Sequence, residues 1–289
     1  MTPSNPLTTY GLTPVPSSAS DLPSNFPPPR HHPTWIPLSS LQTPQTPLAT
    51  RINTYALANL PTPTYNHSHR VYHYGLAIKK YRFAEAPEWA FSDETWFCAC
   101  LLHDIGTTEG NLTGSRLSFE FVGGLAALGI LQDANGGGGG NGKGEVNQYG
   151  DLLGDGEGQG ESVGANAPKD QAESIAEAIM RHQDLCEKGN ITALGQLLQL
   201  ATILGIHTSL SQFFRMYTDK TDNTGQHASL IHPSTIEEIL KQFPRMKWSS
   251  CFTATIRREN SLKPWAHSTT LGEEFPASIL GNTVMQPYE

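Results

Sequence analysis

Three stretches of the chain carry side chains able to do chemistry at helical spacing. "ACLLHDIGT" sets His103 and Asp104 side by side at the end of an apolar run. Charged groups are rarely buried unless they are paired or bound to something. "YNHSHRVYHYGLAIKKYR" repeats Val71, Tyr74, Ile78 and Tyr81 at steps of three and four, and His67 shares the face of that stripe. His69 and His73 fall roughly 200° and 240° around from His67, which predicts them outside, with Arg70 at the stripe's edge. "PKDQAESIAEAIMRHQDL" spaces Ala172, Ile175, Ile179, His182 and Cys186 by three and four, so His182 faces inward. A single inward histidine is ordinarily a satisfied core residue, and His-Asp alone is ordinarily a hydrogen-bonded helix end. Three such sites on three core helices point instead to a metal. Neutral imidazole with carboxylate suits zinc (Zn2+), Fe2+ or Mn2+.

The elements that must position these groups are helices. Ser92 is a good N-cap for "SDETWFCACLLHD", and Asp93 and Glu94 suit the positive helix end. That segment is apolar nearly all round, so a buried helix is expected, closed by Gly106 as its C-terminal cap. Asn66 is read as a cap of the preceding helix. Pro168 suits the first turn of the His182 helix. Thr192 caps "ITALGQLLQLATIL", whose Leu194, Leu197, Leu198, Ala201 and Leu204 point inward. Ser234 with Glu237 reads as a capping box. No segment alternates convincingly with period two, so the expected fold class is all-α, a single helical bundle.

Composition bounds the rest. Residues 1–50 contain one Arg (Arg30) and one Asp (Asp21), and fourteen of the 21 prolines lie at or before Pro63. The segment is read as a disordered tail, neither a secretory signal nor a mitochondrial transit peptide. Residues 133–166 hold 13 of the 27 glycines and read as a flexible acidic insertion. What remains, about 205 residues, suits one domain over 51–289. No apolar run approaches the roughly 18 residues of a membrane span. The net charge of −8 without a basic stripe argues against nucleic acid as a partner. Cys98, Cys100, Cys186 and Cys251 form no CxxC and read as reduced thiols of a cytoplasmic protein.

The order "HSHRV", then "LLHDIG" 36 residues later, then an inward His and a late Asp resembles the HD-domain metalloenzymes. The resemblance is closer to the fungal cyanamide hydratases. It is carried by "YNHSHRVYHYGLAI", "CLLHDIGTTEGN", "SFEFVGG", "APKDQAESIAEAIMRHQD", "NITALGQLLQLATI", "DNTGQHASLIHPSTIEEI" and "RRENSLKPWAH". It implies one zinc held by His67, His103, Asp104 and Asp222, and hydration of cyanamide to urea by a metal-activated hydroxide. His182 is the candidate for orienting substrate or moving a proton, with Asp104 beside it in the catalytic group. Thr107, Glu109 and Trp265 are candidates to line the pocket, His267 sharing a wall with Trp265. The partner expected is a small molecule, and a homo-oligomer is left open.

Two other functions compete. An HD-type phosphohydrolase would need cations for phosphate, and only Arg70 and Arg181 lie helically close to inward histidines. A degenerate, non-catalytic HD domain is the other. In the resembling family the "LATI" helix runs almost directly into "DNTG", whereas Gly205–Thr221 intervenes here. That insertion reads either as an extra amphipathic helix (Leu210, Phe213, Phe214, Tyr217) or as translated unspliced sequence. Closing such a loop costs only a few kcal/mol, so Asp222 is expected to reach the metal still.

Overall fold

A computed structural model of the chain describes residues 5–18, 21–26, 31–132, 166–184, 188–206, 230–281 and 288–289. The fold is an all-α bundle. Its centre is α4 (Thr62–Arg82), buried over almost its whole length. It starts behind Pro61 and ends with Lys79, Lys80 and Arg82 in its last turn, where cations suit the negative helix end. Against it pack α3 (Pro47–Asn59), α5 (Asp93–Leu102) and α9 (Ala193–Ile206). After the short α6 (Glu109–Gly114), on the far side, α7 (Phe119–Gln132) lies on α8 (Lys169–Met180), which in turn contacts α5 and α9. A smaller core joins Phe119 to α11 (Trp248–Leu262) and α12 (Glu274–Leu280) through Trp248, Phe252, Ile256, Phe275 and Ile279. Among the described residues no helix is long and apolar enough to cross a membrane.

Two close approaches set the register of the central helices. A Cβ on Gly75 would meet the Trp96 ring at 2.0 Å, so α5 sits against bare α4 backbone, and the Trp96 indole donates to Tyr72 O at 3.0 Å. Gly106 does not cap α5 in the left-handed region. His103 is the cap residue, and a Cβ on Gly106 would meet Phe119 O at 1.9 Å. The glycine is needed because α7 crosses there, not because the chain turns back.

Local signals elsewhere hold in part. Ser92 Oγ accepts from Thr95 N at 3.1 Å, and Thr192 Oγ1 accepts from Gly195 N at 3.0 Å. The helix expected to open at Ser234 is α10 (Pro233–Gln242), capped two residues earlier by His232. Asn66 lies inside α4, bound to Pro244 O, rather than at a cap. Leu194, Leu197, Leu198 and Ala201 are buried. Residues 133–165 and 207–229, with the 17-residue insertion almost entirely among them, lie outside the described residues.

Over its described residues the proline-rich segment is no loose tail, a correction with a clear physical reason. It includes two short helices, α1 (Pro6–Thr9) and α2 (Leu22–Asn25). Strand β1 (Pro14–Pro16) pairs antiparallel with β2 (Asn190–Thr192), Val15 opposite Ile191. The prolines have no N–H to give. Flanking groups complete the ladder instead: Ser17 N donates to Gly189 O, and Ala193 N donates to Thr13 O. Val15, Leu22 and Leu41 enter the core.

Candidate metal centre

The site forms where α4, the end of α5 and the turn after it, and α11 meet. His67, His103 and Asp104 each offer one ligand atom, and these atoms lie within 4.8 Å of one another, all buried. His67 Nε2 is 3.8 Å and His103 Nε2 is 3.3 Å from Asp104 Oδ2. His103 Nδ1 is 2.8 Å from Cys100 O, three residues back in the same helix, and donates to it. That bond fixes the tautomer and leaves Nε2 as a lone pair aimed at the carboxylate. Among the described residues Asp104 Oδ2 has no hydrogen-bond donor although it is buried. Lone pairs facing one another in a dry pocket require a cation or a proton between them. The donor set therefore fits a borderline metal ion.

The electrostatics follow the packing. Burial holds the His67 imidazole well below the ordinary histidine range, and His103, Arg70, Arg245 and His182 add to the effect. Burial opposes charge on His103 as well, but Asp104 and the Cys100 carbonyl outweigh it and raise the value. Asp104 is lowered against its own burial by His103, with His182 adding to that effect. His182 stands edge-on to His103, ring centroids 5.5 Å apart, and its Nδ1 donates to Ile179 O at 2.6 Å. Burial, then the neighbouring His103, lowers its pKa. It is a neutral base at pH 7 with Nε2 as its remaining acceptor, outside the three-residue group.

The other sequence candidates fall differently. Thr107 Oγ1 donates to Asp104 O at 2.6 Å, so it steadies the backbone of the carboxylate residue. Glu109 is exposed and pairs with Arg258. Trp265 is 61% exposed, its indole donating to Arg116 O, and is not brought to the triad either. His267 faces Glu120 and Asp184. Asp222 lies outside the described residues. His69 and His73 are not on an outer face: both are buried, stacked with Phe243. Arg70 is fully buried and donates to Phe243 O and Pro244 O, while Arg181 is paired with Glu177 and Asp184. Arg181 is thus committed to carboxylates, whereas Arg70 keeps Nε and Nη2 without a hydrogen-bond partner among the described residues.

Sequence reasoning missed Trp248, the first residue of α11, and Arg245, three residues before it. Trp248 stacks on His67 at 3.9 Å between centroids, and the Arg245 guanidinium lies over the Trp248 ring, 5.6 Å from its centroid. Cys251 is half-buried; burial and the nearby charge of Asp104 push its thiol up. Trp248, Cys251 and Phe252 follow i, i+3, i+4 spacing, a signal legible in the sequence. The surface cavity lined by Leu76, Lys79, Lys80, Phe83, Trp89 and Asp93 contains none of the site residues.

A helical bundle with a buried His-His-Asp triad defines a candidate metalloenzyme. Two proteins of Saccharomyces cerevisiae strain S288c, cyanamide hydratases DDI2 and DDI3, are each 35% identical to the chain over 247 residues. The match covers 86% of this chain and 88% of each relative. The chain belongs to the cyanamide hydratase family. No general protein-family model matches it.

Proposed function

We propose that this protein hydrates cyanamide to urea in an HD-type site where His67, His103, Asp104 and Asp222 hold a single metal ion. Zinc is the first choice, with Fe2+ or Mn2+ as alternatives the donors accept. The observation that carries the reading is the 35% identity to two cyanamide hydratases across 86% of the chain. The buried triad supports it. A bound ion of this kind supplies Lewis acidity, making water nucleophilic near pH 7 and polarising the nitrile.

The chain's own residues do the rest. Cys100 O holds His103 in one tautomer, and Thr107 steadies Asp104. Trp248 walls the site on the His67 side and keeps bulk water from the ligand face. His182, with Nδ1 committed to Ile179 O, can accept a proton only at Nε2. It accepts the proton that leaves the attacking water, and a proton is then delivered to the former nitrile nitrogen.

The test is metal analysis and urea production from cyanamide on one purified sample. Urea output proportional to bound metal, and lost on chelation, is the expected result. A metal-loaded protein that makes no urea but releases phosphate from a nucleotide would transfer the reading to a phosphohydrolase. A protein with no metal and neither activity would be a non-catalytic domain.

A further inference from the structure

Hydration of a nitrile is proton-neutral overall but not at each step. A C–O bond forms, one C–N π bond breaks, one proton leaves the water oxygen and one arrives at the nitrogen. His182 handles the inner end of this exchange in the reading above, yet it is buried. A proton exchanged only with His182 has no route to solvent.

Glu120, in the first turn of α7, is fully buried, and among the described residues neither of its carboxylate oxygens receives a hydrogen bond. A buried carboxylate is costly unless it is paired. The groups around it are specific. His267 Nδ1 lies 3.4 Å from Glu120 Oε1, and the other ring nitrogen, Nε2, lies 3.4 Å from Asp184 Oδ1. Glu120 also acts electrostatically on His182, Glu259 and Lys263. The last two are already engaged: Glu259 accepts from Phe119 N and Ser268 Oγ, and Lys263 donates to Leu117 O. Phe119, next to Glu120, touches the His182 ring at 5.7 Å between centroids. The imidazole of His267 is 21% exposed, so the series runs from a closed interior to the surface.

An imidazole with a carboxylate at each nitrogen can take a proton on one side and release one on the other. We propose that Glu120 and His267 form a proton relay joining the His182 side of the site to solvent beside Asp184. The proton that leaves the attacking water is passed outward, and an equivalent proton returns for the nitrogen. The relay rests on the proposed hydration.

The experiment is steady-state urea production by wild type, Glu120→Gln and His267→Ala, with metal content and melting temperature measured on each. Both variants are expected to lose about tenfold or more in kcat, with KM and bound metal unchanged. Added imidazole should restore His267→Ala toward wild type as its concentration rises, which a packing defect would not allow. Either variant at the wild-type rate, a loss that tracks missing metal or unfolding, or no rescue of His267→Ala overturns the relay. A wild type that makes no urea overturns the hydration reading and the relay with it.

Discussion

At the scale of single residues, the triad makes a sharp division of roles. His103→Ala removes a candidate ligand whose tautomer is fixed by Cys100 O, and Asp104→Ala removes the oxygen that both imidazoles face. Each variant is expected to lose the metal and urea production together, measured as metal per chain and urea formed. His182→Asn is expected to keep the metal and lose roughly a hundredfold in kcat, the scale of a general base. Metal loss equal to that of His103→Ala would make His182 a ligand. Asp222→Ala tests the fourth position: loss of metal is expected, and unchanged metal content would move that role elsewhere. Helical spacing singled out His67 and His182, and adjacency singled out His103 and Asp104; His67, His103 and Asp104 lie in one buried group, and His182 is buried beside His103. Glu109 and Trp265 were singled out by nearness to a motif along the chain, which says nothing about direction. Glu120 escaped notice because its meaning depends on His267, far away in sequence.

At the scale of elements, α4 shows where a helical wheel stops being informative. The wheel separates two faces of an isolated helix, but α4 is enclosed by neighbours on every side. His69 lies against Tyr65 and Phe243, and His73 against Tyr72 and Phe243. Burial, joined at His73 by the charge of His69, pushes both imidazoles down to about 4 from an ordinary 6.5. Both are therefore neutral in the folded protein at pH 7, while the unfolded chain binds their protons below about pH 6.5. The unfolded state holds more protons between roughly pH 6.5 and 4, so stability falls as pH is lowered through that window and is level above it. The ceiling is on the order of 3 kcal/mol for each histidine. Urea melts from pH 7.5 to 4.5 are expected to show this slope, and His69→Gln with His73→Gln is expected to flatten it. An unchanged slope in the double variant would place the acid sensitivity elsewhere. The same elements explain Gly75: Gly75→Ala must displace Trp96 and is expected to cost on the order of 2 kcal/mol or more by overpacking.

At the scale of the whole molecule, the largest departure from the sequence reading is the first fifty residues. Proline density and few apolar residues are properties of disordered segments, but they are also properties of a chain laid extended across a folded surface. What separates the two is where the few apolar residues land, and that depends on a partner more than 170 positions away. Val15 reaches the core opposite Ile191, and Ile36 N donates to Thr235 Oγ1, whose hydroxyl donates back to Ile36 O. The segment also braces the helices of the site. Tyr72 of α4 donates to Gln42 O, and Ser174 of α8 donates to Tyr10 O. Removing residues 1–45 would take Val15, Leu22 and Leu41 from the core, each contributing about 1.5–3 kcal/mol, and would bare Ile191 and Leu194. The loss is a large part of the 5–15 kcal/mol that holds a typical domain folded. The truncated protein is expected to melt about 10 °C or more below the full chain, or to fail to accumulate in soluble form. Thermal unfolding of both proteins decides it: equal melting temperatures would mean the segment's contacts contribute nothing to the bundle. Because α4 and α8 lead to His67 and His182, any truncated protein that does fold is expected to bind metal less tightly than the full chain.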